Sequence, residues 1–173
     1  VLEAAQLAGK RCAQIERGKF GGTCLTRGCI PTKVLVTAAD RLYEIKEAAE
    51  LGIHAENVSF DWQRVSERVW QKIDESKSLR QFYLDEPHTD VYEGTAHFLD
   101  DHTIEVHYPD GTKSESMTAP RIYIGTGGKT KIPAMEGIEN VPYHTSESFF
   151  GDGYPEAPYK DIIVVGGGAI GCE

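Results

Sequence analysis

The sequence predicts an α/β fold, and three patterns carry that expectation. A short apolar strand at residues 11–15 follows a helical stretch, and two long stretches of helical periodicity come after it. A second apolar strand at 161–165 runs into Gly166-x-Gly168-x-x-Gly171, the turn that opens a βαβ unit. Between the helices and that strand the periodicity shortens to two, which predicts an antiparallel β-meander inserted into the α/β frame.

In chain order, residues 1–8 read as the end of a helix that Gly9 stops, and 11–15 as a strand ending at Glu16. Residues 18–29 are glycine-rich and read as a loop, after which Pro31 suits the first turn of a helix reaching to about Leu51. Asp61 is a suitable N-cap, and Trp62, Val65, Val69 and Ile73 follow helical spacing, so a second helix is expected from there to about Leu84. Strands are expected at 91–98, 103–108 and 113–117, joined by turns at Asp100-Asp101 and Pro109-Asp110-Gly111. Another short strand is expected at 121–124, ending at Gly125-Thr126-Gly127-Gly128. The Pro- and Gly-punctuated stretch to about Tyr159 then reads as a domain crossing. The expected division is a first domain over 1–150 and the start of a second over 160–173.

Composition narrows the function classes. Hydrophobic residues at 40% and charged residues at 26% are ordinary globular values and exclude extended disorder. No apolar run approaches the roughly 18 residues of a spanning helix, and no basic-then-apolar leader opens the chain, so a cytoplasmic protein without a membrane span is expected. A formal net charge of −9 leaves no basic stripe for nucleic-acid phosphates, and no such partner is expected. Four cysteines without a secretion signal point to a catalytic or metal-binding pair, not an extracellular disulfide framework. The uncapped helix at the start and the strand-turn at the end lead us to expect further elements on both sides.

Each glycine of the terminal motif has a physical task. The first permits a tight turn, the second lets a pyrophosphate approach the backbone, and the third allows close helix packing. An ordinary tight turn uses the same residues, but the strand before it favours a dinucleotide site at Gly166, Gly168 and Gly171.

Cys24-Leu25-Thr26-Arg27-Gly28-Cys29 is more informative. On a regular helix two residues five apart have Cα atoms roughly 8 to 9 Å apart, beyond the limit of about 7 Å for an unstrained disulfide. A bridge therefore needs local distortion, which Gly28 and Pro31 permit. Such a small ring is also easier to reduce. Half of a zinc site and two unpaired buried thiols are the alternatives. The chain offers no second close Cys or His pair to complete four ligands, so no metal is expected. Cys12 and Cys172 sit in apolar strand and helix patterns and are expected in the core.

The stretch Gly21-Gly22-Thr23-Cys24-Leu25-Thr26-Arg27-Gly28-Cys29-Ile30-Pro31-Thr32-Lys33 resembles the redox signature of the class I pyridine nucleotide-disulfide oxidoreductases. That family includes dihydrolipoyl dehydrogenase, glutathione reductase, mycothione reductase and mercuric reductase. Thr126-Gly127 resembles the family's second flavin motif, and the terminal glycine motif its nicotinamide-dinucleotide site. The three occur in the family's order, and the resemblance covers essentially the whole chain. It implies that Glu16 binds the adenosine ribose of FAD and that Gly22, Thr23, Thr126 and Gly127 approach the cofactor. It implies a redox pair in which Cys29 faces the flavin and Cys24 exchanges with substrate. Lys33 matches a lysine near flavin N5, and Glu173 the carboxylate that pairs with it. Independently, a cation beside a flavin and a thiol stabilises reduced flavin and thiolate alike. The second flavin motif departs from the family, with Gly125 where Ala is usual and Gly128 where Ser is usual.

The resemblance implies an incomplete Rossmann-like FAD-binding domain with the inserted meander, followed by the start of an NAD(P)-binding domain. It implies an FAD-dependent NAD(P)-disulfide oxidoreductase acting on a small dithiol or disulfide or a lipoyl domain, as a homodimer when full length. Dihydrolipoyl dehydrogenase with NAD is the first expectation. A mycothione- or glutathione-type reductase or a mercuric reductase is the second. The rivals from other classes are a non-catalytic flavin-fold binding module and a zinc-stabilised interaction domain. The first dinucleotide motif and the family's His-Glu pair are absent from these residues, so the segment alone is expected to be inactive and none of its six histidines is assigned as catalytic base. His144 and the meander histidines are expected to be structural or at the surface.

Overall fold

Gly9, with φ of +66°, ends α1 (Leu2–Leu7) in a conformation an L-residue rarely takes, and the chain turns directly into β1 (Cys12–Ile15). The structure, a computed structural model, describes every residue from Val1 to Glu173. It divides into two units, Val1–Gly21 with Ser76–Gly127, and Gly22–Glu75 with Gly128–Glu173.

In the first unit β1 pairs in parallel with β2 (Thr89–Tyr92), with Cys12 opposite Thr89 and Ile15 opposite Tyr92. The ladder continues one residue further, where the Glu16 amide donates to the Tyr92 carbonyl at 3.0 Å. Glu16 thus lies at the carboxyl end of a parallel strand, the edge at which α/β sheets bind ligands. Gln6 of α1 donates to the Thr89 hydroxyl at 2.7 Å and holds the helix against the strand pair. A separate antiparallel sheet has the order β3 (Thr95–Phe98), β4 (Thr103–His107), β5 (Met117–Thr118). Val106 on its inner face is fully buried.

The second unit is built on helices. α2 (Gly22–Arg27) leads through Gly28 into α3 (Cys29–Glu47), which packs against α4 (Trp62–Ile73). Asp61 caps α4 as its pattern requires, its carboxylate accepting the Arg64 amide at 3.0 Å. Val69 and Ile73 turn inward onto Phe150 and Val34, and Tyr154 stacks on Trp62 while its hydroxyl donates to Ser66 at 3.2 Å. The Trp62 indole donates to the Pro155 carbonyl at 3.0 Å, fastening the 146–159 stretch to α4.

Several expectations change. Residues 22–27 are helical, not loop: only Gly21 and Gly22 take positive φ, and the rest of the run continues a turn. The helix expected from Asp61 to Leu84 is two, because it breaks at Asp74 before α5 (Glu75–Asp85). The strand expected over 91–98 is divided at Gly94 between the two sheets. Of residues 113–117, Lys113 forms a single bridge with His107, the Ser114 amide donates to the Val106 carbonyl at 2.9 Å, and β5 starts only at Met117. Residues 121–124 and 161–165 form no strand, since an apolar segment becomes one only where a neighbour takes up its backbone hydrogen bonds, and no segment of this chain pairs with either. Ile163 is 91% exposed.

Candidate active site

The Cys24–Cys29 segment lies wholly in the second unit. The regular helix that would separate the two thiols is interrupted at Gly28, whose φ of −141° and ψ of −121° place it outside both α2 and α3. Thr26, buried in the segment, returns its hydroxyl to the Gly22 carbonyl at 2.8 Å and tightens the turn that carries Cys24. Pro31 sits buried in the first turn of α3, where its missing N–H removes no helical bond. The outcome is contact between two free, exposed thiols. The Cys24 thiol hydrogen-bonds to Cys29, and that bond, with a smaller contribution from desolvation, pushes Cys24 above the ordinary thiol range.

Lys33 lies one turn beyond Cys29 on α3, and its Nζ is 3.8 Å from Glu173 Oε1. Both side chains are exposed. Arg27, within the cysteine segment, donates to Glu147 of α6 (Ser146–Phe149) at 2.5 Å. Sequence reasoning missed this pair, because nothing local signals a contact across 120 residues. The α6 end is defined by a reciprocal capping box between Thr145 and Ser148.

The glycine motif forms a tight turn, without the strand expected before it. Gly166 has φ of +124°, and a Cβ on Gly171 would lie 2.1 Å from the Gly166 carbonyl oxygen, so only glycine permits this approach. Around Gly168, at the start of α7 (Ala169–Cys172), the space is open and the backbone is accessible. These features suit a diphosphate. Cys172 is exposed there, its thiol donating to the Gly167 carbonyl at 3.5 Å, so it is not the core residue expected; Cys12 is half-buried.

In the first unit Glu16 accepts the Gly18 amide at 2.8 Å, which fixes its carboxylate beyond the end of β1. Thr126 and Gly127 lie in irregular chain, with Gly127 at φ of +72° and open space around it. His144 is exposed and shares a hydrogen bond with the Tyr159 hydroxyl at 3.0 Å. His97 and His107 stack with ring centroids 3.8 Å apart. No group of three or more potential metal ligands forms in the chain. No helix is long and apolar enough to cross a membrane.

A thiol pair brought together at a helix break, beside a lysine–glutamate pair and a glycine-rich turn, defines a class of redox protein. The chain belongs to the pyridine nucleotide-disulphide oxidoreductase family, whose model matches residues 1–173. Among its relatives, dihydrolipoyl dehydrogenase of Geobacillus stearothermophilus is 32% identical over 173 residues, 99% of this chain and 35% of the relative. Mycothione reductase of Mycobacterium tuberculosis is 35% identical over 167 residues, 96% of this chain and 36% of the relative. The Cu(II) complex of the HOCl-induced flavoprotein disulfide reductase RclA from Escherichia coli superposes with a TM-score of 0.66 at 28% identity, over 85% of this chain and 29% of that one. The chain therefore spans about a third of the length of the curated relatives it matches.

Proposed function

We propose that the whole protein is an FAD-dependent NAD(P)-disulfide oxidoreductase in which electrons pass between nicotinamide, FAD and the Cys24–Cys29 pair. Our first choice of activity is dihydrolipoyl dehydrogenase, with NAD and a dihydrolipoamide or lipoyl-domain substrate, in a cytoplasmic homodimer. The observation that carries the reading is the thiol-to-thiol contact across the Gly28 break. In this reading the first 150 residues belong to a Rossmann-like FAD domain and 160–173 open the NAD(P) domain. Glu16 holds a ribose of FAD, while Gly22, Thr23, Thr126 and Gly127 let the backbone approach it. Gly166, Gly168 and Gly171 receive the nicotinamide dinucleotide.

Bound FAD would supply the electron relay between nicotinamide and dithiol. The rest is the work of the chain's own residues. Cys24 keeps its proton on the hydrogen bond to Cys29 and must lose it before it attacks a substrate disulfide. Lys33 brings a cation one turn from Cys29, and its ammonium pairs with Glu173 at 3.8 Å. The 35% identity to a mycothione reductase favours one second reading, a low-molecular-weight disulfide reductase.

Thiol counting on the full-length protein tests the first step. After aerobic purification, denatured and unreduced protein is expected to lack free thiols at Cys24 and Cys29 and to regain them on reduction. Anaerobic NADH is then expected to reduce the pair and produce a long-wavelength thiolate–flavin band. Free Cys24 and Cys29 in the oxidised protein overturn the proposal. Turnover with lipoamide set against mycothiol and glutathione disulfides separates the two readings.

A further inference from the structure

The Cys24 and Cys29 thiols touch with no covalent bond between them, so something other than sulfur holds α2 beside α3. α2 is poorly equipped to hold itself there. It has six residues, fewer than the roughly 12 below which an isolated helix is marginal in water, and Thr26 is the one it buries. The Thr26 hydroxyl bond to Gly22 stays inside α2, and Gly28 at its far end lies outside both helices. Arg27 reaches out of the segment, its Nη1 donating to Glu147 Oε1 of α6 at 2.5 Å. That partner is firmly seated. Thr145 and Ser148 cap the start of α6, the Gly151 and Gly153 amides donate to the Ser148 carbonyl at 3.1 and 3.0 Å, and Phe150 joins Val69 and Ile73 in the core with Phe149 packed against them.

We propose that Arg27 is a positioning residue for the redox pair: its ion pair with Glu147 holds the two thiols in place for ring closure once the pair has been reduced. The inference rests on the redox reading above and adds a residue to it. In the disulfide state the S–S bond itself ties α2 down, whereas in the dithiol state the ion pair has that task. Ring closure breaks two S–H bonds, forms one S–S bond and passes two electrons and two protons to an acceptor, which in the assay below is oxidised dithiothreitol. Its equilibrium depends on how closely the sulfurs are held beforehand. Released from Glu147, α2 gains conformations as a dithiol that the disulfide forbids, and the equilibrium moves toward the dithiol. The two side chains are 39% and 51% exposed, so the effect is that of a partly solvated ion pair, about fivefold. A direct charge effect on the sulfurs has a different signature. The Arg27 cation favours thiolate and the Glu147 anion opposes it, so neutralising one or the other would shift the equilibrium in opposite directions and neutralising both would cancel.

Full-length protein equilibrated anaerobically in dithiothreitol redox buffers, then alkylated and read by mass spectrometry at the Cys24 and Cys29 peptides, gives the ratio of disulfide to dithiol. Arg27→Gln and Glu147→Gln are each expected to favour the dithiol about fivefold, roughly 20 mV for a two-electron couple. The double variant is expected to shift no further than either single one, because a tether is lost only once. Single shifts of opposite sign, shifts toward the disulfide, shifts below about 1.5-fold, or a double variant that cancels or adds overturn the proposal. Wild type that forms no Cys24–Cys29 disulfide in any buffer overturns the redox reading and the proposal together. A wild-type disulfide with unshifted variants counts against the Arg27–Glu147 tether alone.

Discussion

A methyl group at Gly28 would lie 3.0 Å from the Thr23 carbonyl oxygen, so the joint between α2 and α3 is tight and any side chain there makes it give. That joint lets two cysteines five positions apart share a hydrogen bond, and the bond sets their chemistry. Cys24 titrates above the ordinary thiol range chiefly because its S–H is held by Cys29. Only a thiolate is alkylated at an appreciable rate, so a raised pKa delays labelling to higher pH. Cys29→Ala removes the acceptor and should move the midpoint of Cys24 alkylation downward. The rate of iodoacetamide incorporation at the Cys24 peptide, followed by mass spectrometry across pH in reduced protein, checks this. An unmoved midpoint would mean that the thiol contact has no chemical consequence. At this scale the sequence was informative. A bridge between Cys24 and Cys29 needed a local distortion that Gly28 permits, and Lys33 and Glu173, which the family resemblance matched to a pair, lie 3.8 Å apart. Arg27–Glu147 was illegible, since its two halves belong to stretches with no common pattern.

Among the elements, legibility followed whether a pattern was self-sufficient. α4 could be read because Asp61 caps it and its apolar spacing fits only a helix. Its end at Ile73 could not, as Asp74 and Glu75 disfavour continuation only weakly and the residues beyond are again good helix formers. The division of 91–98 shows the same limit. Both halves have strand character, and it is Gly94 that sends them to different sheets. A Cβ there would meet the His107 carbonyl oxygen at 2.5 Å and Val106 at 2.6 Å. Gly94→Ala must therefore push β4 away or distort the turn into β3, and it is expected to cost about 1–3 kcal/mol, the usual range for overpacking. Chemical denaturation of wild type and variant measures the difference. No loss of stability would mean that the crossing is looser than its distances indicate.

For the whole molecule, the grouping of Gly22–Glu75 with Gly128–Glu173 is written in no local pattern, because it depends on Phe150 and Tyr154 reaching back to α4. The two expected strands that failed to form, at 121–124 and 161–165, are apolar segments whose identity rests on partners outside themselves. The second of these has a further consequence. Ile162, Ile163, Val164 and Val165 are 67%, 91%, 60% and 61% exposed, with no strand beside them and no proline or charge among them. β-branched runs of this kind template the growth of cross-β assemblies, in which identical segments stack and satisfy one another's backbone. The 173-residue chain in isolation is accordingly expected to nucleate fibrillar aggregates from this stretch. Ile163→Lys should lengthen the lag of thioflavin fluorescence, and an unchanged lag would locate the nucleus elsewhere. The same hydrogen-bonding appetite that fits the segment for the interior of a sheet makes it, when uncovered, a site of self-association.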